Sequence, residues 1–235
     1  MTVAQNKDII VVLGASDGLG LAMASALGDT YEVIGMARRT LETPPPFSYV
    51  AGVDVLNADS LKAALRGIDK TRLWGLVVTA GTAAMNHFSA VPEATRRRVM
   101  DLNFHGVANA IDVFGKQMMR NRRGRIVTLS TIAVPMLLEG EAVYVASKAA
   151  VEAYTKVVAK ELADWNITAN VIGPGPVETA LIAGLSPDMK TALVARMTTK
   201  KLTEPADVIA AARYLLSKEA QQVTGQTITL SLATP

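Results

Sequence analysis

A tyrosine and a lysine four residues apart open one long amphipathic stretch of the chain. Tyr144 and Lys148 stand in the segment Tyr-Val-Ala-Ser-Lys, and in a helix this spacing places both side chains on one face, one turn apart. A phenol with a pKa of about 10 exchanges protons poorly at neutral pH. A nearby ammonium stabilises the phenolate and lowers that pKa, so the pair predicts acid–base chemistry. The pattern is short, and taken alone it also occurs in helices without a function.

A glycine-rich turn follows the first apolar run, residues 9–13. Residues 14–20 read Gly-Ala-Ser-Asp-Gly-Leu-Gly and lead into an amphipathic stretch. Glycines permit a tight turn and let backbone N–H groups approach a pyrophosphate, while a helix N-terminus adds partial positive charge. The spacing differs from the common dinucleotide fingerprint, and no Lys-Ser or Lys-Thr follows as in a P-loop. The turn predicts a nucleotide site, with a plain strand-to-helix turn as the alternative.

Two arginines, Arg38 and Arg39, follow the second apolar run. An acidic residue here would hold the ribose 2′-hydroxyl of NAD, whereas an arginine suits the 2′-phosphate of NADP. We therefore expect NADP(H) rather than NAD(H), although two surface arginines at a loop start are an equally simple interpretation. Asp17 would repel a 2′-phosphate, or it caps the following helix. Asp54 either accepts a hydrogen bond from the adenine amine or is an ordinary turn residue.

Short apolar runs alternate with longer amphipathic stretches along the whole chain. We predict strands at 9–13, 33–37, 49–53, 73–79, 124–130, 168–172 and 227–230, and helices at 19–27, 60–66, 95–120, 143–162 and 205–216. The runs are apolar on both faces, which is typical of a parallel sheet covered by helices. This alternation predicts an α/β fold, a Rossmann-type doubly wound parallel sheet in three layers. We expect residues 1–235 to form a single domain, with an irregular segment around 176–204 covering the substrate.

Composition excludes several kinds of site. The 235 residues include no cysteine and two histidines, so thiol nucleophiles are excluded and a histidine-rich metal site is not expected. The net charge of +3 is modest and does not indicate nucleic acid as a partner. The first apolar run is too short for a signal peptide or a membrane span, so we expect a soluble, cytoplasmic protein.

Taken together and in order, these motifs resemble the short-chain dehydrogenase/reductase family over essentially the whole chain, and within it the 3-oxoacyl-(acyl carrier protein) reductases. Besides the glycine turn and the Tyr144–Lys148 pair, the resemblance rests on Ala80-Gly81 and on Asn103 in Leu-Asn-Phe-His-Gly. It also rests on Val-Thr-Leu-Ser-Thr at 127–131, Asn-Val-Ile-Gly-Pro-Gly at 170–175 and Val-Thr-Gly-Gln-Thr-Ile at 223–228. The joint pattern is far more specific than any single segment.

The resemblance implies a role for each matching residue. Tyr144 would donate a proton to the carbonyl oxygen during reduction, and Lys148 would lower the tyrosine pKa and bind the nicotinamide ribose. Asn103 would position a water that links Lys148 to solvent, and a hydroxyl before the tyrosine would orient the substrate oxygen. The implied cofactor-binding residues are Gly14, Ser16, Asp17, Gly18, Leu19, Gly20, Arg38, Arg39, Asp54, Val55, Ala80, Gly81, Tyr144, Lys148, Pro174, Gly175, Val177 and Thr179.

The chain departs from the family pattern at two positions. Thr131 stands where serine is usual, and Ser130 is adjacent. Neighbouring residues of a strand point to opposite faces, so only one of the two hydroxyls meets Tyr144, and we predict Thr131. Its extra methyl stiffens χ1 and crowds the pocket. Thr79 replaces the usual asparagine before Ala80, and we expect it to tune the site rather than abolish activity.

The expected reaction transfers hydride between a nicotinamide and the carbonyl or secondary alcohol of a small apolar or acyl substrate. Residues 132–138 are almost wholly apolar, and Met189, Leu193 and Met197 lie at helical spacing where they could close over the substrate. A cluster of basic residues suggests an acyl carrier protein as a possible partner, although Trp165 replaces another expected arginine. This cluster comprises Arg120, Arg122, Arg123 and Arg125.

Two further questions stay open on the sequence alone. A catalytically silent dinucleotide-binding sensor or scaffold on the same fold is the alternative to an enzyme, and the complete set of site residues favours the enzyme. We also expect a homo-oligomer, a tetramer or a dimer, because two predicted helices carry more apolar residues than one sheet face needs. These residues are Val113, Phe114, Val151, Tyr154, Val157 and Val158.

Overall fold

Seven strands lie within residues 7–177 and 187–233, which are the residues that the structure, a computed structural model, describes. They are β1 Ile9–Leu13, β2 Glu32–Met36, β3 Ser48–Val50, β4 Leu73–Val78, β5 Gly124–Leu129, β6 Ile167–Gly173 and β7 Thr227–Thr229. All pair in parallel in one sheet of order β3-β2-β1-β4-β5-β6-β7. The predicted doubly wound sheet is confirmed, and the strand order reverses at β1.

Helices cover both faces of the sheet. They are α1 Gly18–Leu27, α2 Ala58–Arg66, α3 Glu93–Met100, α4 Gly106–Asn121, α5 Ala133–Met136, α6 Ala142–Glu161, α7 Pro187–Arg196 and α8 Pro205–Leu216. No helix in the described ranges is long and apolar enough to cross a membrane.

Two apolar cores explain why the strands are hydrophobic throughout. In β1, Ile9, Val11 and Leu13 pack into one core, and Ile10 and Val12 pack into the other. The first core includes buried side chains of α2, α4 and α6, and the second includes those of α1 and α8. Because side chains alternate along a strand, a sheet covered on both faces needs apolar residues at every position.

The main differences between the structure and the predicted elements lie in four places. The helix predicted at 95–120 is interrupted between α3 and α4 by a π-helical turn, Asp101–His105. The third strand ends at Val50 rather than at residue 53. Two helices were not predicted, α5 and α7, because the first is a single turn and the second lies in a segment rich in breaking residues.

The apolar residues that suggested subunit pairing are mostly internal. Val113, Phe114, Val151 and Val158 are buried in the first core, and Tyr154 is partly buried against it. Only Val157 of this set is well exposed, at 54%. We predicted an oligomer from an excess of apolar surface. That argument is wrong for four of the six residues, because they are buried within the core of a single chain.

Candidate active site

Two adjoining cavities lie at the carboxyl ends of the strands. One has a volume of about 860 Å³ and reaches Thr131, Tyr144 and Lys148. The other, of about 510 Å³, reaches Arg38 and Asp54. Open parallel sheets bind nucleotides in this position, at the strand where the order reverses. The two cavities together form an elongated site of the kind that a dinucleotide requires.

The glycine turn connects β1 to α1 with conformations that favour glycine. Gly14 has φ +95°, and Gly18 has φ +49°. A Cβ on Gly20 would lie 2.2 Å from the Gly14 carbonyl oxygen, so the start of α1 packs directly on the turn. Thr79, the departure from the family pattern, donates to the Leu13 carbonyl oxygen at 2.8 Å and ties β4 to the end of β1.

Asp17 and Arg39 form an ion pair at the edge of this turn. Asp17 occupies the N-cap position of α1, but its side chain makes no capping hydrogen bond, so the capping interpretation is wrong. Arg39 also donates to Ser16 Oγ at 3.2 Å. Within the described chain Arg38 has no ion pair, and it lines the smaller cavity. The carboxylate expected to repel a 2′-phosphate is thus neutralised by an arginine.

The turn after β3 contributes the opposite wall of the smaller cavity. Asp54 Oδ1 accepts a hydrogen bond from the Leu56 N–H at 3.0 Å, which is an ordinary turn interaction. Asp54 and Val55 also line the cavity. An additional contact of Asp54 with adenine stays a prediction.

Tyr144 and Thr131 lie together in the wall of the larger cavity. Tyr144 is 8% exposed, on the first turns of α6, and the Thr131 hydroxyl is near enough to lower the tyrosine pKa. Thr131 Oγ1 also accepts a hydrogen bond from the Ala133 N–H at 3.2 Å, which fixes its side chain beside α5. Ser130 borders the same cavity, but its hydroxyl donates to Glu152 on the outer part of α6. The two adjacent hydroxyls therefore have different partners, Tyr144 and Glu152, although both residues lie just beyond the end of β5 and both contact α6.

A buried network fixes Lys148 and Asn103 behind the tyrosine. Lys148 Nζ donates to the Leu129 carbonyl oxygen at 2.9 Å. Asn103 Nδ2 donates to the Thr82 carbonyl oxygen at 2.8 Å and to Ser147 Oγ at 2.9 Å, and Ser147 Oγ donates to the Tyr144 carbonyl oxygen at 2.7 Å. Asn103 is wholly buried in the π-helical turn, and such turns are frequent at functional sites. Sequence reasoning missed Ser147, whose signal is its place directly before Lys148.

Burial shifts the pKa values of both groups. Desolvation, with a smaller contribution from Glu141, raises the pKa of Tyr144 to about 12, and Thr131 partly offsets this rise. Desolvation lowers the pKa of Lys148 to about 8. We expected the tyrosine pKa to be lowered, and in this structure it is raised because the loss of water around the phenol dominates. At neutral pH the phenol carries its proton, and the lysine is mostly an ammonium.

The loop after β6 closes the cavity on the side opposite the glycine turn. The Pro174 carbonyl oxygen accepts a hydrogen bond from the Ile132 N–H at 3.0 Å, so this loop is tied to the residues after Thr131. Pro174, Gly175 and Val177 line the cavity. Thr179 and the side chain of Met189 lie outside the described residues. Leu193 of α7 lines the cavity, whereas Met197 is buried beyond it.

Almost every predicted site residue in the described ranges borders one of the two cavities. The exceptions are Gly20, which packs beneath the turn, and Asn103, which lies behind Gly81. A Cβ on Gly81 would lie 3.1 Å from Asn103 Oδ1 and 3.5 Å from Lys148 Nζ. The remaining cofactor residues that line a cavity are Gly14, Ser16, Asp17, Gly18, Leu19, Arg38, Arg39, Asp54, Val55, Ala80, Gly81, Tyr144, Lys148, Pro174, Gly175 and Val177.

The arginine cluster that suggested a carrier-protein contact lies elsewhere. Arg123 pairs with Asp8 at 2.8 Å, and Arg125 is buried with its guanidinium 4.5 Å from the Trp74 ring centroid. Arg122 stacks over Trp165 at 5.1 Å. These residues surround the amino end of β5, whereas the cavity lies at its carboxyl end. Arg122, Arg123 and Arg125 thus have partners within the chain, and none of the four arginines lines either cavity.

The site fits a nicotinamide dinucleotide on three observations of this structure. The glycine turn and the start of α1 present backbone N–H groups to the cavity, as a pyrophosphate requires. Arg38 lines the smaller cavity and could pair with a ribose phosphate there. Lys148 has three donors and one hydrogen-bond acceptor among the described residues, which leaves donors for ribose hydroxyls. Lys148 and the turn would hold the cofactor, which supplies or accepts the hydride.

Comparisons with known proteins agree with this architecture. A family model described as Enoyl-(Acyl carrier protein) reductase matches residues 14–231. The chain is 37% identical over 238 residues to the 3-oxoacyl-[acyl-carrier-protein] reductase FabG of Staphylococcus epidermidis, covering 95% of this chain and 96% of that protein.

Two solved structures are similar over nearly the whole fold. A short-chain type dehydrogenase/reductase from Mycobacterium ulcerans has a TM-score of 0.89 at 26% identity, covering 97% of this chain and 90% of that one. The aldohexose dehydrogenase of Thermoplasma acidophilum has a TM-score of 0.87 at 25% identity, covering 98% of each chain. With the glycine turn, the buried lysine and the Tyr144–Thr131 wall in place, this chain belongs to the short-chain dehydrogenase/reductase family of oxidoreductases.

Proposed function

We propose that this enzyme reduces a carbonyl group with NADPH, or oxidises the corresponding secondary alcohol with NADP⁺. The observation that carries the proposal is the wall of the larger cavity, where the Tyr144 and Thr131 hydroxyls lie together in front of buried Lys148. Tyr144 holds a proton at neutral pH and can give it to a carbonyl oxygen that Thr131 orients. Lys148 stabilises the phenolate that results. Asn103 and Ser147 keep the start of α6 in place during this exchange.

To test the reaction, a panel of carbonyl compounds is assayed with each of the two reduced cofactors. Turnover is measured as the loss of absorbance of the reduced cofactor. The panel includes simple ketones and a 3-oxoacyl thioester, both free and on an acyl carrier protein. Turnover of at least one member supports the enzyme. Tight cofactor binding with no turnover of any member would favour the silent sensor instead.

The preference for NADP(H) rests on the charges of the smaller cavity. Arg38 lines it, and the one acidic residue of the glycine turn, Asp17, is paired with Arg39. The expected result is a higher kcat/KM with NADPH than with NADH in the wild type, and a loss of that preference in Arg38→Asp. A wild-type preference for NADH would contradict the proposal and indicate that Asp17 repels the phosphate.

The substrate class that we propose is a small apolar or acyl carbonyl compound. The cavity wall is largely apolar, with Ile132, Leu138 and Leu193 among its members. The Staphylococcus epidermidis relative is a 3-oxoacyl-[acyl-carrier-protein] reductase, which makes an acyl thioester on a carrier protein one candidate. The Thermoplasma acidophilum relative is an aldohexose dehydrogenase, so the same fold also admits a hydroxylated substrate. A cytoplasmic location and a homo-oligomeric state also stay predictions.

A further inference from the structure

Glu141 places a carboxyl group in the substrate cavity. It is the N-cap residue of α6, three positions before Tyr144, and both residues line the larger cavity. Glu141 lies just outside the helix, with non-helical backbone angles of φ −117° and ψ 22°. The carboxylate is also close enough to Tyr144 to influence the charge state of the phenol. Glu141 therefore lines the same cavity wall as the proton donor, near the position of a reacting carbonyl.

The backbone around Glu141 is fixed on both sides. Its N–H donates to the Leu138 carbonyl oxygen at 3.3 Å, and its own carbonyl oxygen accepts from the Val145 N–H at 2.8 Å. The preceding residue, Gly140, has φ +81° and accepts a hydrogen bond from the Asn86 N–H at 2.8 Å. This frame fixes the backbone from which the Glu141 side chain reaches the cavity.

The Glu141 carboxyl group has no hydrogen-bond or ion-pair partner within the described part of the chain, although it is half-buried. Its oxygens are not among the fully buried unpaired side-chain atoms of the described residues, so they stay open to the cavity. Partial burial raises the pKa of this carboxyl. A carboxyl group that is held beside the proton donor without a partner is suited to bind a hydrogen-bond donor of the substrate.

The charges around the cavity decide which donor fits. Lys148 and Arg196 line the same cavity and disfavour a cationic group, and the carboxylate of Asp17, which also lines it, is paired with Arg39. Glu141 itself, with Glu139 at the exposed rim, disfavours a carboxylate. A neutral hydroxyl avoids both repulsions. We infer that Glu141 is a specificity-determining residue that binds a neutral hydroxyl near the reacting carbonyl, so that among small carbonyl compounds the enzyme prefers those that carry such a hydroxyl.

This inference rests on the proposed carbonyl reduction, and the test uses two ketones that differ only in one group. Hydroxyacetone carries a hydroxyl where butanone carries a methyl. Because the hydroxyl also makes the carbonyl intrinsically more reactive, the quantity to compare is the ratio of the two kcat/KM values between wild type and variants. A hydrogen bond to a charged group corresponds to about ten- to a hundredfold in this ratio.

Glu141→Leu should lower the ratio of hydroxyacetone to butanone by about ten- to a hundredfold. Glu141→Gln keeps an acceptor of the same shape and should lower it less. Glu161→Gln, an exposed residue at the far end of α6, removes the same charge and should leave the ratio unchanged. Circular dichroism and cofactor titration check the fold, and the isosteric glutamine variant carries the test if the leucine variant does not fold.

Binding of the two alcohol products separates the inference from the proposed function. Propylene glycol and sec-butanol are titrated by saturation-transfer NMR in the presence of cofactor. A preference for the glycol that disappears in Glu141→Leu, without turnover of either ketone, supports the hydroxyl site and contradicts the proposed reaction. Turnover with the same ratio in wild type and both Glu141 variants overturns the inference and leaves the reaction standing. Absence of both turnover and binding preference also overturns it.

Discussion

Burial acts in opposite directions on the two groups of the proton-transfer centre. It raises the pKa of the Tyr144 phenol and lowers that of the Lys148 ammonium, because in each case the neutral form tolerates the loss of water better. The phenol therefore holds its proton at neutral pH and needs help to become a phenolate. In the proposed reaction the ammonium of Lys148 provides that help, and its charge should be the part of the site most sensitive to pH near 8.

The affinity for reduced cofactor should fall as the pH rises through about 8, the pKa to which burial lowers Lys148. Below this pH the ammonium donates to ribose hydroxyls, and above it the neutral amine donates less strongly. Fluorescence titration at a series of pH values measures the dissociation constant. Lys148→Met should bind more weakly at neutral pH and lose the pH dependence. A wild-type dissociation constant that is constant across this range would contradict the role of the lysine.

The adjacent hydroxyls of Ser130 and Thr131 should differ in their effect on catalysis. Thr131→Ala removes the group beside Tyr144 and should lower kcat/KM by about ten- to a hundredfold. Thr131→Ser keeps the hydroxyl with less crowding and should retain or raise activity. Ser130→Ala removes only the bond to Glu152 and should affect stability more than chemistry. The assignment is wrong if Ser130→Ala is the slower enzyme in steady-state assays.

Among the elements, the strands were predictable because their physical signal is local. Every residue of β1, β4, β5 and β6 is buried, so the apolar runs show directly in the sequence. The π-helical turn was not predictable, since one extra residue in a turn hardly changes the spacing of apolar positions across residues 95–120. The pairing of Asp17 with Arg39 and the exposure of Glu141 to the cavity depend on where loops meet in space, which no local pattern encodes.

A substitution in the glycine turn tests whether this element binds the cofactor. Gly20→Ala would bring a Cβ to 2.2 Å from the Gly14 carbonyl oxygen, so the turn and the start of α1 must separate. Cofactor affinity should fall by more than about tenfold, because the backbone N–H groups no longer converge on the pyrophosphate. Gly67→Ala, at the C-cap of α2, has its nearest atom at 3.4 Å and serves as the control. Equal affinity of both variants in a fluorescence titration would contradict this account.

At the scale of the whole molecule, the prediction concerns the number of subunits that associate. The sequence predicts a dimer or a tetramer. Val157 of α6 is 54% exposed and is therefore an apolar residue that a second copy could cover. Light scattering at micromolar concentration should give a mass of at least twice 24.9 kDa. Val157→Asp should weaken association if α6 pairs with a second copy, whereas Lys156→Ala serves as the control from the same helix. A monomeric wild type would rule the prediction out.

The central claim is that the Tyr144 hydroxyl exchanges the proton with the substrate oxygen, whereas other residues bind the cofactor. Tyr144→Phe removes only that hydroxyl, and loss of a general acid typically costs about 10²–10⁴-fold in rate. The decisive measurement is kcat of Tyr144→Phe on the best carbonyl substrate found, together with its cofactor dissociation constant. The account predicts a fall in kcat of this size with nearly unchanged cofactor binding. Full activity of Tyr144→Phe on that substrate would contradict the mechanism.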